Sequence, residues 1–221
     1  MKRVAIALLL LAVCAGTAFA ANPVRISQVY SGGGSSTTPV TYKQDYVELF
    51  NSSSNPVDMS GWTLAYASVT GTFSSTYAIP AGTVCMPCSY VLIGCGSLGS
   101  AGADFPVVKD LNCALNLAAT AGKIALVSAN FGSGTCPGGV VEDLVAWGAA
   151  NCYESAALAV LSKTTGAVRN AGGMIDNDDN ATDFAIVTNP IPRNSASPLN
   201  GECLVVPVEP STWGTIKALY N

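Results

Sequence analysis

The sequence contains no histidine, and only 11% of its 221 residues are charged. The lack of histidine excludes Ser-His-Asp and Cys-His nucleophiles and histidine-ligated metal sites. Soluble domains usually carry about 25% charged residues. The ten basic side chains form no cluster and are outnumbered by fourteen acidic ones. Such a chain cannot neutralise many phosphates, so we do not expect it to bind nucleic acid.

The longest apolar run lies at the N-terminus. Lys2 and Arg3 precede the run VAIALLLLAV, and Ala18-Phe19-Ala20 follows as an A-x-A cleavage site. This order is typical of an export signal, and the run is shorter than the roughly 20 residues that span a bilayer. We expect cleavage after residue 20, no transmembrane span in the mature chain, and a secreted or cell-surface location. Cleavage removes two basic residues, so the formal charge falls from −4 to −6.

Seven cysteines follow the predicted cleavage site, and an oxidising compartment favours their pairing. They are Cys85, Cys88, Cys95, Cys113, Cys136, Cys152 and Cys203. Because seven is odd, one thiol must remain unpaired, and spacing alone leaves the connectivity open. Cys136 and Cys152 bracket the run VVEDLVAWG, which has turn residues before it. We expect these two cysteines to form a disulfide.

The segment CMPC (85–88) has the spacing of half a zinc site or of a redox pair. A zinc site needs a second ligand pair close in space, and a redox pair needs a helix that lowers the pKa of its first thiol. The strand-like run SYVLIG follows instead. We therefore interpret these two cysteines as parts of structural disulfides.

Short apolar runs separated by turn-rich spacers predict an almost entirely β protein. The predicted strands are VRISQVY (24–30), DYVELFN (45–51), WTLAYA (62–67), SYVLIG (89–94), KIALVSA (123–129), VVEDLVAWG (140–148) and DFAIV (183–187). Their number and spacing indicate a sandwich or a barrel. Only SAALAVLSK (155–163) has a helical pattern.

The stretch DYVELFNSSSNPVDMSGW (45–62) is typical of two strands joined by an ordered turn. Alternation places Val47 and Leu49 on one face of the first strand, with Tyr46, Glu48 and Phe50 on the other. Trp62, Leu64 and Tyr66 share a face of the second strand, so both strands can contribute to one core. Asp58 and Ser60 can bond nearby backbone N–H groups and order the turn, and Trp62 is predicted to be a buried wedge.

Several segments together resemble the lamin tail domain in its bacterial, exported form. They are VRISQVYSGGG, DYVELFNSSSNPVDMSGWTLAYAS, IPAGTVCMPCSYVLIG, AATAGKIALVSA, CPGGVVEDLVAWGAANCYES and RNAGGMIDNDDNATDFAIVTNPIPRNSASP. The resemblance covers about residues 23–200 and implies an immunoglobulin-like β-sandwich. We therefore expect a signal peptide (1–20), a lamin-tail-like domain (23–203) and a C-terminal tail (204–221).

For exported bacterial members the resemblance implies a non-catalytic role at or outside the cell envelope, often beside secreted hydrolases. The chain shows neither a coiled-coil rod nor a nuclear signal, so roles at the nuclear envelope do not carry over. No hydrolase domain is attached, and no ligand-contacting residue is transferred from the family.

Carboxylates remain the only candidates for acid/base or metal chemistry. The pairs Asp45 with Glu48 and Glu142 with Asp143 do not share a strand face, and charges on strands are usually solvated. We therefore do not expect an enzyme.

The run DNDDN (176–180) is the sharpest polar cluster. Asp176, Asp178, Asn180 and Asp183 offer the hard oxygen ligands that Ca²⁺ prefers, but the run lacks the glycine and terminal glutamate of an EF-hand loop. Because Asx-rich turns are common without metal, we expect no cofactor and keep calcium as the alternative.

Two functions fit these features. The first is a structural or adhesive surface module whose loops contact a protein or polysaccharide of the envelope. The alternative is a carbohydrate- or protein-binding accessory domain, which would need exposed aromatic residues on one face. The aromatic candidates are Tyr30, Tyr42, Tyr46, Phe50 and Tyr77.

The tail combines a proline-containing spacer with a short helix. Pro207 and Pro210 favour an extended spacer, and Trp213, Ile216 and Tyr220 would then form one apolar stripe. A helix this short is not stable alone in water. Either the tail docks on the domain, or it serves as a sorting signal. We favour sorting.

Overall fold

Twelve strands form from these runs in the computed structural model, which describes residues 23–204. The predicted export signal and residues 205–221 of the predicted tail, with its proline spacer and its helix, lie outside the described residues. The strands are β1 (Val24–Tyr30), β2 (Asp45–Asn51), β3 (Val57–Asp58), β4 (Thr63–Ser68), β5 (Ser75–Ala78), β6 (Val84–Cys85), β7 (Tyr90–Cys95), β8 (Leu111–Cys113), β9 (Gly122–Gly132), β10 (Gly138–Trp147), β11 (Thr165–Arg169) and β12 (Phe184–Thr188). A 3-10 turn (Asn170–Gly173) and one four-residue helix, α1 (Asn180–Asp183), precede β12.

The strands form two large sheets and a small two-stranded sheet. The six-stranded sheet has the order β12-β11-β1-β2-β7-β8, and the four-stranded sheet has the order β10-β9-β4-β5. Strands β3 and β6 pair with each other. Among the described strands, only β7 and β8 run parallel. The predicted immunoglobulin-like β-sandwich is confirmed.

The main core lies between the two large sheets. Val47 and Leu49 of β2 and Leu64 and Tyr66 of β4 are buried in it, so the common core predicted for these strands is confirmed. Trp62 is only half-buried at its edge, because it precedes β4 instead of lying within it. The predicted wedge packs against the core, but it is less buried than expected.

The outer face of β2 is covered as well. Tyr46 packs between Tyr30 and Phe105, with ring centroids 5.6 Å and 5.5 Å away. Tyr42 closes the same aromatic cluster. Every residue of β2 is consequently buried, including Glu48 on the face that it shares with Tyr46 and Phe50.

The helix predicted for residues 155–163 does not form. Leu158 instead lies beside the end of β10, where its N–H donates to the carbonyl of Ala146 and its carbonyl accepts from Gly148, each at 2.9 Å. Ser155 has a φ of 46°, which a right-handed helix does not allow. Leu158 and Leu161 are buried in this arrangement, and a nine-residue helix has little stability of its own to compete with it.

Two disulfides cross-link the described residues. Cys136 and Cys152, the pair expected from their places around β10, are joined across a separation of 16 residues. Cys88 pairs with Cys203 across a separation of 115 residues. Cys85 is a buried thiol, so the interpretation of CMPC as two disulfide cysteines is wrong for its first member. Within residues 23–204, no helix is long and apolar enough to cross a membrane.

Candidate functional site

Charged side chains replace strand-to-strand hydrogen bonds where β1 and β11 separate. These strands pair only at Gln28 and Val29, and Ile26 bonds to side chains instead. Its N–H donates to Asp143 Oδ2 at 2.6 Å, and its carbonyl accepts from Arg169 Nε at 2.9 Å. Buried backbone groups must find partners. Asp143 and Arg169 therefore satisfy a gap in the six-stranded sheet.

Arg169 is the centre of six ionisable side chains, which we call the buried ionic cluster. Its members are Arg25, Asp143, Glu154, Arg169, Asp176 and Asp183. The guanidinium nitrogens of Arg169 lie 2.6 Å from Asp143 Oδ2, 3.0 Å from Asp176 Oδ1 and 3.6 Å from Asp183 Oδ2. One guanidinium thus holds together β10, the loop that contains the run DNDDN (176–180), which we call the Asx-rich loop, and α1.

Glu154 completes the buried ionic cluster, and both of its carboxylate oxygens accept hydrogen bonds from neutral donors. Its Oε1 accepts from the N–H of Leu144 at 3.0 Å, and its Oε2 accepts from Asn180 Nδ2 at 2.9 Å. Burial, and to a smaller extent the nearby Asp143 carboxylate, together raise the pKa of the Glu154 carboxyl to about 8. Glu154 is therefore protonated at neutral pH.

Three carboxylates of this cluster lie close enough to be considered as metal ligands. Oxygen atoms of Asp143, Glu154 and Asp176 all lie within 4.8 Å of one another. Asp143 Oδ1 is buried and has no hydrogen-bond partner among the described residues. However, Arg169 already donates to both Asp143 and Asp176, so a cation here would face a guanidinium. The arrangement suits a proton on Glu154 better than a metal ion.

The four calcium candidates of the Asx-rich loop do not converge on one point. Asp176 bonds to Arg169, and Asp178 is exposed. Asn180 Oδ1 accepts from the N–H of Ala146 at 3.0 Å. Both oxygens of Asp183 accept from Asn177, at 2.7 Å each. The loop uses these oxygens to order itself, and the prediction of no cofactor, with calcium as its alternative, stays untested.

The carboxylate pairs considered for acid/base chemistry also support the backbone. Asp45 accepts from the N–H groups of Gly33 at 2.7 Å and Leu117 at 3.0 Å. Burial raises the pKa of Asp45 to about 7, against the opposing effect of these two bonds. Glu48 accepts from the backbone N–H of Arg193 at 2.6 Å and from its guanidinium at 2.7 Å.

Three of these four carboxylates are buried, and the fourth is half-buried. Asp45, Glu48 and Asp143 are buried, so the expectation that charges on these strands are solvated is wrong for them. Glu142, next to Asp143 on β10, is half-buried. Each buried carboxylate fixes a loop or a strand end that would otherwise leave buried N–H groups without acceptors.

The predicted aromatic ligand candidates lie inside the domain. Tyr30, Tyr42, Tyr46 and Phe50 are buried, and Tyr77 is half-buried against the core. Aromatic rings that stack on a sugar must present a face to solvent, and these four do not. Within residues 23–204, Tyr153 is the aromatic side chain with the largest exposure.

An open groove lies beside the aromatic cluster, on the loop between β7 and β8. We call it the Leu98 groove. It has a volume of about 280 Å³, and its walls include Lys43, Leu98, Phe105, Val107, Val108 and Lys109. Val108 is 81% exposed and Leu98 is 65% exposed, while Phe105 packs against Tyr42 and Tyr46 beneath them. Two solvated apolar side chains thus stand on a packed aromatic base.

Hydrogen bonds hold the loop of the Leu98 groove in place. The N–H of Gly99 donates to the carbonyl of Lys43 at 2.7 Å. The backbone N–H of Lys43 donates to the carbonyl of Ala103 at 2.9 Å. Asp110 accepts from the N–H groups of Leu92 at 2.8 Å and Ser195 at 3.0 Å. The groove is therefore formed before any partner arrives.

Sequence reasoning missed this groove. The sequence does contain a sign of the groove. Leu98 and Val108 are apolar residues in a Gly- and Ser-rich loop, where they are not part of the alternating pattern of a strand. The buried ionic cluster was also missed, because Arg25 and Arg169 lie in separate strands with no shared motif.

The fold and its buried charges define an immunoglobulin-like β-sandwich whose carboxylates are used for structure. The Lamin Tail Domain family model matches residues 17–132, more than half of the chain and all of β1 to β9. The chain belongs to the lamin tail domain family, a family of non-catalytic immunoglobulin-like domains.

One solved structure supports the fold beyond the region that the family model matches. A DUF4876 family protein from Bacteroides thetaiotaomicron shares 10% sequence identity with a TM-score of 0.54, over 82% of this chain and 75% of that chain. At this identity the likeness concerns the fold alone. No curated protein matches the chain.

Proposed function

We propose that the chain is an exported, non-catalytic interaction module that binds a protein at or outside the cell envelope through the Leu98 groove. The observation that carries this proposal is the pair Leu98 and Val108, which are solvated although they stand on an ordered loop and a packed aromatic base. Exposed apolar side chains that are grouped and rigidly held are typical of interaction sites.

The buried carboxylates support the non-catalytic part of the proposal. Asp45 and Glu48 each accept backbone N–H groups that hold loops, and Asp143 is bonded to Arg169. A general acid or base must reach the proton of a substrate directly or through one water. These three groups instead face the interior.

The groove favours a protein partner over a polysaccharide. Its exposed large side chains, Leu98 and Val108, are aliphatic, whereas Tyr42 and Tyr46, which pack against Phe105 of the groove, are buried and present no face for a sugar. We expect the partner to place an apolar side chain between Leu98 and Val108. The burial of one such side chain contributes about 1.5–3 kcal/mol.

The disulfides support the exported part of the proposal. Structural disulfides persist in oxidising compartments, and two of them join the described residues. Expression of the whole chain in a bacterial host tests export directly. We expect the N-terminus of the mature protein to be Ala21 and the protein to leave the cytoplasm. Full-length protein retained in the cytoplasm would contradict export.

Binding is tested by retention of envelope and extracellular fractions on the immobilised mature chain. We expect saturable retention of a component that protease treatment of the fraction destroys. The double variant Leu98→Ser/Val108→Ser should weaken its binding by roughly tenfold or more. Val160→Ser is the matched control, since Val160 is an aliphatic residue of the same type, 60% exposed, on a different loop.

Two outcomes would overturn the proposal. Equal loss of binding in the control and in the double variant would show that the groove is not the site. Saturable retention of a protease-resistant polysaccharide, unaffected by the double variant, would favour the accessory carbohydrate-binding function instead.

A further inference from the structure

Three thiols within residues 23–204 remain outside the two disulfides, and two of them are neighbours. Cys85, Cys95 and Cys113 are all buried. Cys85 lies on β6, where its sulfur contacts the carbonyl of Ser89 at 3.6 Å. Cys95 and Cys113 lie at the ends of β7 and β8, and their Sγ atoms are 2.8 Å apart.

The backbone already has the arrangement that a disulfide between Cys95 and Cys113 requires. The two residues are direct partners in the parallel register of β7 and β8. Neighbouring strands lie about 4.8 Å apart, which is within the range of about 4.4–6.8 Å between the Cα atoms of a disulfide. Both side chains point into the main core. The folded backbone can therefore hold this bond with both strands in their present positions.

A metal site does not explain this pair. Zinc needs four ligands, and the chain has no histidine. Among residues 23–204, the one group of three or more acidic or cysteine side chains close enough to share an ion is Asp143, Glu154 and Asp176. Cys95 and Cys113 thus have each other as their only partner for such chemistry in the described part of the chain.

We propose that Cys95 and Cys113 form a third disulfide in the exported protein and that Cys85 is the single unpaired thiol. The oxidant is a disulfide of a thiol–disulfide oxidoreductase. One thiolate of the pair attacks that disulfide and forms a mixed disulfide, releasing one thiol of the oxidant. The other thiolate then attacks the mixed disulfide and releases the second thiol of the oxidant. Two thiols of the chain are oxidised, one disulfide is reduced, and two protons pass to the oxidant's thiolates.

The timing of this exchange follows from burial. Cys95 is fully buried and Cys113 nearly so in the folded domain, so a protein oxidant cannot reach either sulfur there. The exchange must precede the packing of β8 on the edge of β7. Cys85 is protected in the same way afterwards, and burial raises the pKa of its thiol to about 12, which keeps it unreactive.

The third disulfide would join the two ends of the loop that carries Leu98 and Val108. Residues 96–112 lie between the two cysteines and include Leu98, Phe105 and Val108. A cross-link at both strand ends restricts this loop in the unfolded chain and anchors it in the folded one. The pairing rests on the positions of the sulfurs and does not depend on what the groove binds.

The proposal is tested by counting thiols in the whole chain purified from an oxidising compartment. The protein is unfolded in denaturant with an alkylating agent and without reductant, and its peptides are mapped by mass spectrometry. We expect Cys85 to be alkylated and Cys95 to be linked to Cys113. Alkylation of both Cys95 and Cys113, or a link from either of them to Cys85, would overturn the proposal.

Two variants make the result independent of incomplete oxidation elsewhere. Cys85→Ala should leave no alkylated cysteine in the mature chain. Cys95→Ser should leave Cys85 and Cys113 alkylated and lower the Tm by about 5–10 °C. A Tm for Cys95→Ser within 1 °C of that of the parent chain would show that no cross-link was lost.

Discussion

The guanidinium of Arg169 donates to Asp143 Oδ2 at 2.6 Å, and the two side chains are only 0% and 1% exposed. The pair joins β11 of one sheet to β10 of the other, and both members also bond to the backbone of Ile26. The role of this buried pair is not limited to the attraction between its two charges. It closes the place where the six-stranded sheet loses its regular hydrogen bonds.

Loss of Arg169 should destabilise the domain strongly. Arg169→Met leaves Asp143 without its counter-charge and removes the donor to Ile26. We expect the free energy of unfolding to fall by about 3–5 kcal/mol, because an uncompensated buried charge is costly. Denaturant unfolding monitored by tryptophan fluorescence measures this change.

A surface ion pair provides the matched control for that variant. Lys43 lies 3.0 Å from Asp104, whose side chain is 78% exposed. Lys43→Met should change the free energy of unfolding by less than about 1 kcal/mol, because solvent screens exposed pairs. If both variants cost the same, burial is not the reason for the effect of Arg169.

Stability should fall as the pH rises from about 4.5 to 8, in part through Glu154. Burial, with Asp143, raises the pKa of its carboxyl from 4.5 to about 8. In this window the folded state keeps a proton that the unfolded state has released, so the contribution of Glu154 is complete below pH 4.5 and is lost as the pH passes 8.

The variant Glu154→Gln isolates this effect, because its side chain stays neutral at every pH. We expect the free energy of unfolding of Glu154→Gln to fall less steeply between pH 5 and 8 than that of the parent chain. Asp45, with a pKa of about 7, contributes the same slope to both proteins. Parallel curves for the two proteins would show that Glu154 is ionised in the folded state.

Calcium should have no effect on stability. The oxygens of Asn180 and Asp183 are used within the loop and by β10. We expect equal Tm values in millimolar Ca²⁺ and in EDTA. A ligand that binds only the folded state raises the Tm, so an increase of several degrees that Asp178→Ala abolishes would establish a calcium site.

The disulfide between Cys136 and Cys152 should stabilise the domain. Closure of a loop of about fifteen residues contributes roughly 3 kcal/mol in the chain-entropy description. Lys123 strengthens the same region, because its Nζ bonds to the carbonyl of Thr135 at 2.6 Å and to the side chain of Asn151. The double variant Cys136→Ser/Cys152→Ser should lose most of the disulfide contribution in denaturant unfolding. Peptide mapping that links Cys136 to another cysteine would contradict the pairing.

The strands could be predicted where alternation and β-branched residues occur together. β1 and β2 begin and end at the predicted residues, 24–30 and 45–51. β11 was missed, because TGAVR is short and begins beside a glycine. The helix predicted at 155–163 failed for a related reason. Its Ala- and Leu-rich composition favours a helix weakly, and pairing with the end of β10 prevailed.

The buried charges could not be predicted, because their partners are distant in sequence. Glu48 binds Arg193 across 145 residues, and no local pattern on β2 distinguishes its carboxylate from a solvated one. The same holds for Asp143, which needs both the gap beside Ile26 and the arrival of Arg169. Sequence periodicity shows which face a residue occupies, but it does not show that loops cover that face.

The bond between Cys88 and Cys203 also determines how the domain carries mechanical load. Cys203 is the penultimate described residue, and its partner lies 115 residues earlier, just before β7 in the six-stranded sheet. Tension on the C-terminal end therefore passes through the sulfur bridge to residue 88 and does not travel along the intervening chain. The loop that carries Leu98 and Val108, every member of the buried ionic cluster except Arg25, and the edge strand β12 lie within that covalent loop. A pull from the tail cannot peel them away one strand at a time.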